Sequence, residues 1–319
     1  MIRSLAIVGP TASGKTALSL ELAERLKGEI VSCDSMQIYR GMDVGTAKAT
    51  AEEQARAPHH LIDVVDPTES YSVEAYREAA IGCAREITER GRLPIFTGGT
   101  GLYLDSLLRS PQTDAPESDP VYREALIRSA GEDYVDTLWK RLRDVDPESA
   151  EKIHKNNVKR VIRALEIYDK CGVPKSMLDR RSRNAPQEIS VLIIALDFHD
   201  RELLYSRIDR RVDIMMDDGL LDEVERLYSS GKLPPSATAS QAIGYKEIVE
   251  YLRGKCSLSE ATDKIKLASR RYAKRQLTWF HHREGVNQLF VDNGEGKIRD
   301  TSELVGEAME IILRHPGTL

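Results

Sequence analysis

The stretch G-P-T-A-S-G-K-T, Gly9 to Thr16, fills the pattern G-x-x-x-x-G-K-[ST] at every fixed position. Before it lies the short apolar run Leu5 to Val8. After it Leu18, Leu22 and Leu26 recur every four residues, and Gly28 follows as a helix stop. In this strand–loop–helix context the glycines let backbone N–H groups turn inward onto phosphate oxygens. Lys15 adds a charge, Thr16 can ligate Mg²⁺, and the next helix presents its positive dipole end. With glycine at about 7% of average usage, a chance match in a chain this long is roughly one in a hundred. The loop is therefore expected to cradle a phosphate chain. The pattern does not name the owner, since ATP, GTP and an isoprenoid diphosphate present similar oxygens.

Further apolar runs at Glu29 to Cys33, Leu93 to Thr97, Val191 to Leu196 and Gln288 to Val291 alternate with helical patterns. This order predicts an α/β fold: a P-loop NTPase-like parallel sheet with helices on both faces. Some 90 residues without a strand pattern separate the third and fourth runs, too many for a loop. They open with the proline-bearing PQTDAPESDP (111–120), which reads as a linker, and close with the polar RRSRNAPQE (180–188). Helical patterns at 121–131, 134–145 and 148–172 lie between. Residues 113–189 are thus expected to form a helical insertion domain, and 1–112 with 190–319 the catalytic core. Another helical stretch, 201–231, carries Gly219 as a break between two helices.

The chain has 319 residues and a formal net charge of -5, which excludes a globally basic nucleic-acid coat and confines any RNA contact to a local patch. Cys33, Cys83, Cys171 and Cys256 lie far apart with no C-x-x-C pair, so neither a zinc site nor a disulfide framework is predicted and a reducing cytoplasm is expected. No apolar run approaches the roughly 20 residues of a membrane span, and nothing near the N-terminus reads as a signal peptide.

Asp34 falls just past the second run, on the sheet edge where ligands collect in open α/β folds. A carboxylate there can accept a proton, hold magnesium, or simply cap a turn. Thr97, Gly98, Gly99 and Thr100 end the third run on the same edge, where small residues permit close approach of a ligand or form a tight turn.

Taken in order, GPTASGKT, DSMQIYRGMDVGTAK (34–48) and TGGTGLY (97–103) resemble the tRNA dimethylallyltransferase family, also called tRNA isopentenyltransferases or IPP transferases, of bacterial type. The likeness continues through PHHLIDVVDP (58–67), YSVEAYREAA (71–80), NNVKRVIRALEIY (156–168), SQAIGYKEI (240–248) and YAKRQLTWF (272–280). It implies transfer of a dimethylallyl group from its diphosphate to N6 of adenosine 37 in tRNA. By the same resemblance Gly9, Thr11, Ala12, Ser13, Gly14, Lys15 and Thr16 hold the diphosphate, with Mg²⁺ at Thr16 and Arg207 reaching the same group. Arg210 and Arg211 stand close enough to share that last role. Asp34 matches the catalytic aspartate, acting with Lys15 and Thr16, and meets the tRNA beside Ser35, Met36 and Gln37, which touch the flipped base and its neighbours. Thr100 and Arg123 match further tRNA contacts. The implied partners are dimethylallyl diphosphate and the anticodon stem-loop of tRNA, and a monomer is expected. Two positions depart from the family pattern: His281 stands where an arginine is expected, and Lys155 where proline is frequent.

Residues 262–283 concentrate seven Lys or Arg against one Asp, with Tyr272, Trp279 and Phe280 interleaved. Such a segment is a solvated helix face or, beside the family pattern, an RNA-facing one in which Lys274 and Arg275 meet phosphates. In the insertion, Asn156, Arg160 and Arg163 are spaced to share one helix face, and the resemblance suggests RNA contact there. Two other functions use part of this equipment. A small-metabolite kinase with ATP in the loop would employ Asp34 but leave the insertion and basic segment idle. A non-catalytic RNA-binding protein, switched by a bound nucleotide, would need no proton acceptor at Asp34.

Overall fold

A computed structural model describes residues 1–109, 116, 119–315 and 317. Most of the expected linker at 111–120 lies outside the described residues. The chain divides into two compact units, Met1–Leu108 with Glu188–Leu319, and Arg109–Gln187.

In chain order the first unit begins β1 (Ile2–Val8), α1 (Lys15–Leu26), β2 (Gly28–Ser32), α2 (Ala51–Arg56), β3 (His59–His60), α3 (Val73–Glu89), β4 (Leu93–Gly98) and α4 (Gly101–Leu107). The second unit holds α5 (Pro120–Ala130), α6 (Tyr134–Val145), α7 (Pro147–Lys152), α8 (Val158–Cys171) and α9 (Lys175–Asn184). The first then resumes with β5 (Ile189–Asp197), α10 (Arg201–Asp217), α11 (Leu220–Ser229), α12 (Tyr245–Leu252), α13 (Leu258–His281), β6 (Val286–Phe290) and α14 (Thr301–Arg314).

Six parallel strands form one sheet in the order β3-β2-β4-β1-β5-β6, with Leu5 between Ile95 and Leu192. β1 shows why both faces are covered. Leu5 and Ile7 join Leu18, Leu22, Ile194 and Leu304 in one core, while Ala6 and Val8 join Phe96, Tyr76 and Tyr103 in the other. Alternate side chains of a strand point to opposite faces, so a continuous apolar run needs helices on each. A third core, built on Ile38, Met42, Val224, Tyr245 and Ile265, ties the segment after β2 to α11, α12 and α13.

Gly28 is not the helix stop expected from its position. Lys27 takes the left-handed conformation (φ 52°) and its N–H closes the helix on the Ala23 carbonyl. Gly28 opens β2, where a Cβ would lie 2.6 Å from the Ile95 side chain and 3.0 Å from the Leu93 carbonyl oxygen, so the bare backbone favours close packing of β2 on β4. Gly219 does separate two helices, with φ 94° between α10 and α11.

The second unit packs α5, α6, α7 and α8 around Leu126, Leu138, Leu142, Ala150, Ile162 and Leu165. The pattern read across 148–172 is broken: α7 ends at Lys152, and Asn157 N–H donates to the His154 carbonyl in a turn before α8. Arg180–Asn184, the first part of the polar stretch that closes the insertion, is the last turn and a half of α9. Among the described residues no helix is long and apolar enough to cross a membrane.

Candidate functional site

The loops leaving the C-terminal ends of β1, β2 and β4 surround a cavity of about 880 Å³ in the first unit. Thr11 to Thr16, Asp34 to Gln37, Thr97 to Gly99 and Arg275 line it, whereas Gly9, Thr100, Arg207 and Lys274 do not. Distant segments make this arrangement. Gln276 of α13 accepts from the Thr11 N–H at 3.0 Å and donates to the Gly99 carbonyl at 2.9 Å, locking the glycine loop to the turn after β4. Gly98, the last residue of β4, and Gly99 after it allow this approach. A Cβ on Gly98 would lie 2.1 Å from the Cys33 carbonyl oxygen, and one on Gly99 the same distance from Gln276 Nε2.

Inside the loop, Ala12 adopts a left-handed backbone (φ 63°) that costs a non-glycine residue roughly 1 kcal/mol or more. Arg207 Nε donates to the Ala12 carbonyl at 3.0 Å and braces that conformation. Of the neighbouring α10 arginines it is Arg211, one helical turn on, that lines the cavity. Lys15 shares the cavity and donates to the Pro10 carbonyl at 2.6 Å. Burial first, then the neighbouring Arg211, lower its ammonium to about 7, with Asp34 acting in the opposite direction. Burial likewise lowers Arg211, again opposed by Asp34. Two desolvated cations and one carboxylate thus leave a net positive site, suited to a compact polyanion. The Ser13 hydroxyl is the one buried side-chain polar atom without a partner among the described residues. Leaving such a group unmet costs about 1–3 kcal/mol, and a phosphate oxygen seated in the loop would meet it.

Asp34 Oδ1 accepts from the Met36 N–H at 2.9 Å, which turns the chain and directs the carboxylate along the cavity wall. Thr100 accepts from the Ser35 N–H at 3.1 Å, so it shapes the Asp34 turn from behind. Tyr272 lies in the same place: burial, then Asp34, push its phenol up to about 12, keeping it a hydrogen-bond donor. Gln37 lines the cavity, yet its Oε1 accepts from the Ser32 hydroxyl and its amide hydrogens go to the Thr46 and Ala47 carbonyls.

The basic segment is partly consumed within the protein. Lys264 pairs with Glu250, Lys266 with Asp213, Arg270 with Asp209 and Arg283 with Asp105. Arg271, Lys274 and Arg275 remain exposed, and Arg275 lies over the Tyr272 ring with 5.5 Å to its centroid. His281, the departure from the family pattern, pairs with Asp197 at 2.5 Å.

In the second unit the expected helix face does not form as read. Asn156 precedes α8 and is exposed, because the helix starts only at Val158. Arg163 and Arg123 both reach the fully buried Glu166 at 2.8 Å, where burial of the acid demands cations. Arg163 also donates to the Pro116 carbonyl. Of the four residues expected to meet RNA there, Arg160 is the exposed cation.

Several cavity residues carried no individual signal in the chain. Gln276 sits inside a motif but gains meaning only from partners far away, and Arg211 is one of three neighbouring arginines between which the sequence does not choose. His59, in PHHLIDVVDP, also lines the cavity. Its Nδ1 lies 2.8 Å from the Ala57 carbonyl and so carries hydrogen, and burial lowers its pKa, leaving Nε2 as an acceptor. For a metal, no group of three or more His, Cys, Asp or Glu exists among the described residues. The Thr16 hydroxyl on the cavity nonetheless fits Mg²⁺, which takes few protein ligands and completes its shell with phosphate oxygens and water.

The family profile described as IPP transferase matches residues 37–283, and one described as isopentenyl transferase matches residues 2–63. A tRNA dimethylallyltransferase of Bacillus anthracis is 50% identical over 300 residues, 94% of this chain and 93% of its own. Among solved structures, the tRNA isopentenylpyrophosphate transferase of Bacillus halodurans is 42% identical over 99% of both chains, with a TM-score of 0.70. A eukaryotic dimethylallyltransferase acting on tRNA is 28% identical over 98% of this chain and 80% of its own, with a TM-score of 0.81.

Proposed function

The chain belongs to the IPP transferase family and transfers a dimethylallyl group to tRNA, and from that premise we propose how its residues divide the work. The acceptor is N6 of adenosine 37, presented by the anticodon stem-loop. The Thr11–Thr16 loop, Lys15 and Arg211 hold the diphosphate of dimethylallyl diphosphate. Asp34 takes the N6 proton as the nitrogen lone pair forms the new C–N bond. The allylic C–O bond breaks with its electron pair leaving on diphosphate. Mg²⁺ bound at Thr16 would neutralise charge that develops on that leaving group. The observation that carries this division is the placement of Asp34 on one cavity with Lys15 and Arg211. A weak amine nucleophile needs its proton acceptor and its leaving-group clamp aligned about one bond-forming centre.

Incubation with unmodified tRNA and labelled dimethylallyl diphosphate is the direct test, with label expected on N6 of adenosine 37. Label on another nucleoside would overturn the choice of acceptor, and ATP-dependent phosphorylation of a small metabolite with no label on RNA would favour the kinase alternative. For the RNA face, Lys274→Gln and Arg275→Gln are each expected to make the slope of log affinity against log salt shallower, by about 0.7–0.9 for every phosphate the side chain no longer neutralises. Lys266→Gln, whose ammonium is held by Asp213, serves as the control with an unchanged slope. Unchanged slopes in the first two would place α13's exposed side away from the RNA.

A further inference from the structure

Asp43, Val44 and Gly45, within the second motif, turn three consecutive backbone N–H groups onto a single buried carboxylate. Glu223 of α11 is 5% exposed, and its Oε2 accepts from Asp43 and Val44 at 2.8 Å each while its Oε1 accepts from Gly45 at 3.1 Å. Tyr245 of α12 donates its hydroxyl to the same Oε1 at 2.5 Å. Burial, then the Glu223 charge, hold that phenol far above its ordinary pKa, so it stays a donor. Its ring packs where a Gly45 Cβ would lie 2.5 Å away. Four donors thus satisfy the acid without a cation.

The turn continues into the cavity wall. Thr46 and Ala47 offer their carbonyls to the Gln37 amide at 3.3 and 3.2 Å, and Gln37 in turn receives the Ser32 hydroxyl at 2.9 Å. Gly45, Thr46, Ala47 and Gln37 line the cavity, whereas Glu223 and Tyr245 do not. This wall is electrically neutral. The nearby Lys48 has a side chain only 4% exposed and commits its ammonium to Asp43, Asp63 and the Tyr39 carbonyl. A diphosphate gathers where Lys15 and Arg211 are, so a neutral wall continuous with Asp34 suits the uncharged base.

We infer that Glu223 and Tyr245 form a positioning pair for the acceptor: through the 43–47 turn and the Gln37 amide they set the wall that holds the tRNA nucleotide beside Asp34. The inference rests on the proposed acceptor role of Asp34's side of the cavity. A buried acid is a costly way to stabilise a turn, and its geometric demands are what it adds over an apolar residue.

The test is Glu223→Gln and, separately, Tyr245→Phe. In Glu223→Gln the amide oxygen can still accept two N–H groups, but the NH₂ faces the remaining backbone donor. KM for tRNA should rise roughly tenfold, with the dissociation constant of dimethylallyl diphosphate within about twofold of wild type. Tyr245→Phe leaves the carboxylate and all three of its backbone bonds in place, so it should raise KM for tRNA only a few-fold. A melting temperature measured on each variant separates a failure to fold from a shifted KM. Equal weakening of both substrates, a change confined to the diphosphate, or no change would overturn the inference. If Glu223→Gln fails to fold, Tyr245→Phe decides alone: raised KM for tRNA supports the pair, unchanged KM removes it. A wild-type enzyme that labels no tRNA would instead sink the proposed acceptor chemistry, and this inference with it.

Discussion

Asp34→Asn is expected to slow prenyl transfer by a factor of about 10² to 10⁴, the range for loss of a positioned general base, while both substrates still bind. Asparagine keeps the shape of the side chain, and its Oδ1 can still accept from the Met36 N–H that fixes the turn. What disappears is the ability to take a proton as N6 becomes positively charged. The sign of the binding effect is also set by the site. Asp34 counters Lys15 and Arg211, so removing its charge leaves the cavity more positive and should hold the diphosphate as tightly as before or more so. Single-turnover transfer with labelled substrate measures the chemical step, and separate tRNA and diphosphate titrations measure binding. An undiminished rate would take the proton-accepting role from Asp34. A slow rate explained entirely by weaker tRNA binding would make it a recognition group instead.

The parts of this site visible in the chain are those whose physics is local. A glycine loop between strand and helix announces a phosphate cradle within eight residues, and Asp34 and Thr97–Thr100 are placed by lying just after apolar runs of a parallel sheet. Their partners are not local. Gln276 lies 265 residues from the Thr11 N–H it accepts from, and Glu223 lies 180 from Asp43. No periodicity encodes such pairs. The choice between Arg207 and Arg211 turns on one helical turn of α10: the first side chain meets the Ala12 carbonyl and the second meets the cavity. Helical spacing in the insertion misled for a related reason. Asn156 has the right interval to Arg160 and Arg163, but a turn at His154–Asn157 intervenes, and a buried acid at Glu166 draws Arg123 and Arg163 to itself. Gly28 reads as a helix stop until the closeness of Ile95 gives it another reason.

Arg211→Met and Lys15→Met should each weaken dimethylallyl diphosphate by about 10² to 10³, the consequence of removing one member of a desolvated charge clamp. Both cations face one cavity, and each is held below its ordinary pKa chiefly by burial, with Arg211 a further cause at Lys15. Like charges kept together in a poorly solvated site repel each other, and Asp34 offsets this only in part, so the ligand-free protein carries strain that a bound polyanion relieves. Arg211→Met should therefore leave the melting temperature of the free enzyme unchanged or raise it by about 2 °C, whereas Lys15→Met also gives up its bond to the Pro10 carbonyl and should not raise it; both should abolish most of the rise that added diphosphate produces. In Arg211→Met stability and binding do not fall together, as they would in a folding defect. Arg211→Lys keeps the charge but loses the planar fork and should fall between wild type and Met. Arg207→Met provides the contrast, because it removes the brace on Ala12 and should lower the melting temperature of the free enzyme. Full diphosphate affinity in Arg211→Met, together with its loss in a stably folded Arg207→Met, would return the clamp to Arg207. In that event the loop brace and the leaving-group contact would be one residue, and Arg211 would serve only to tune Lys15 and Asp34.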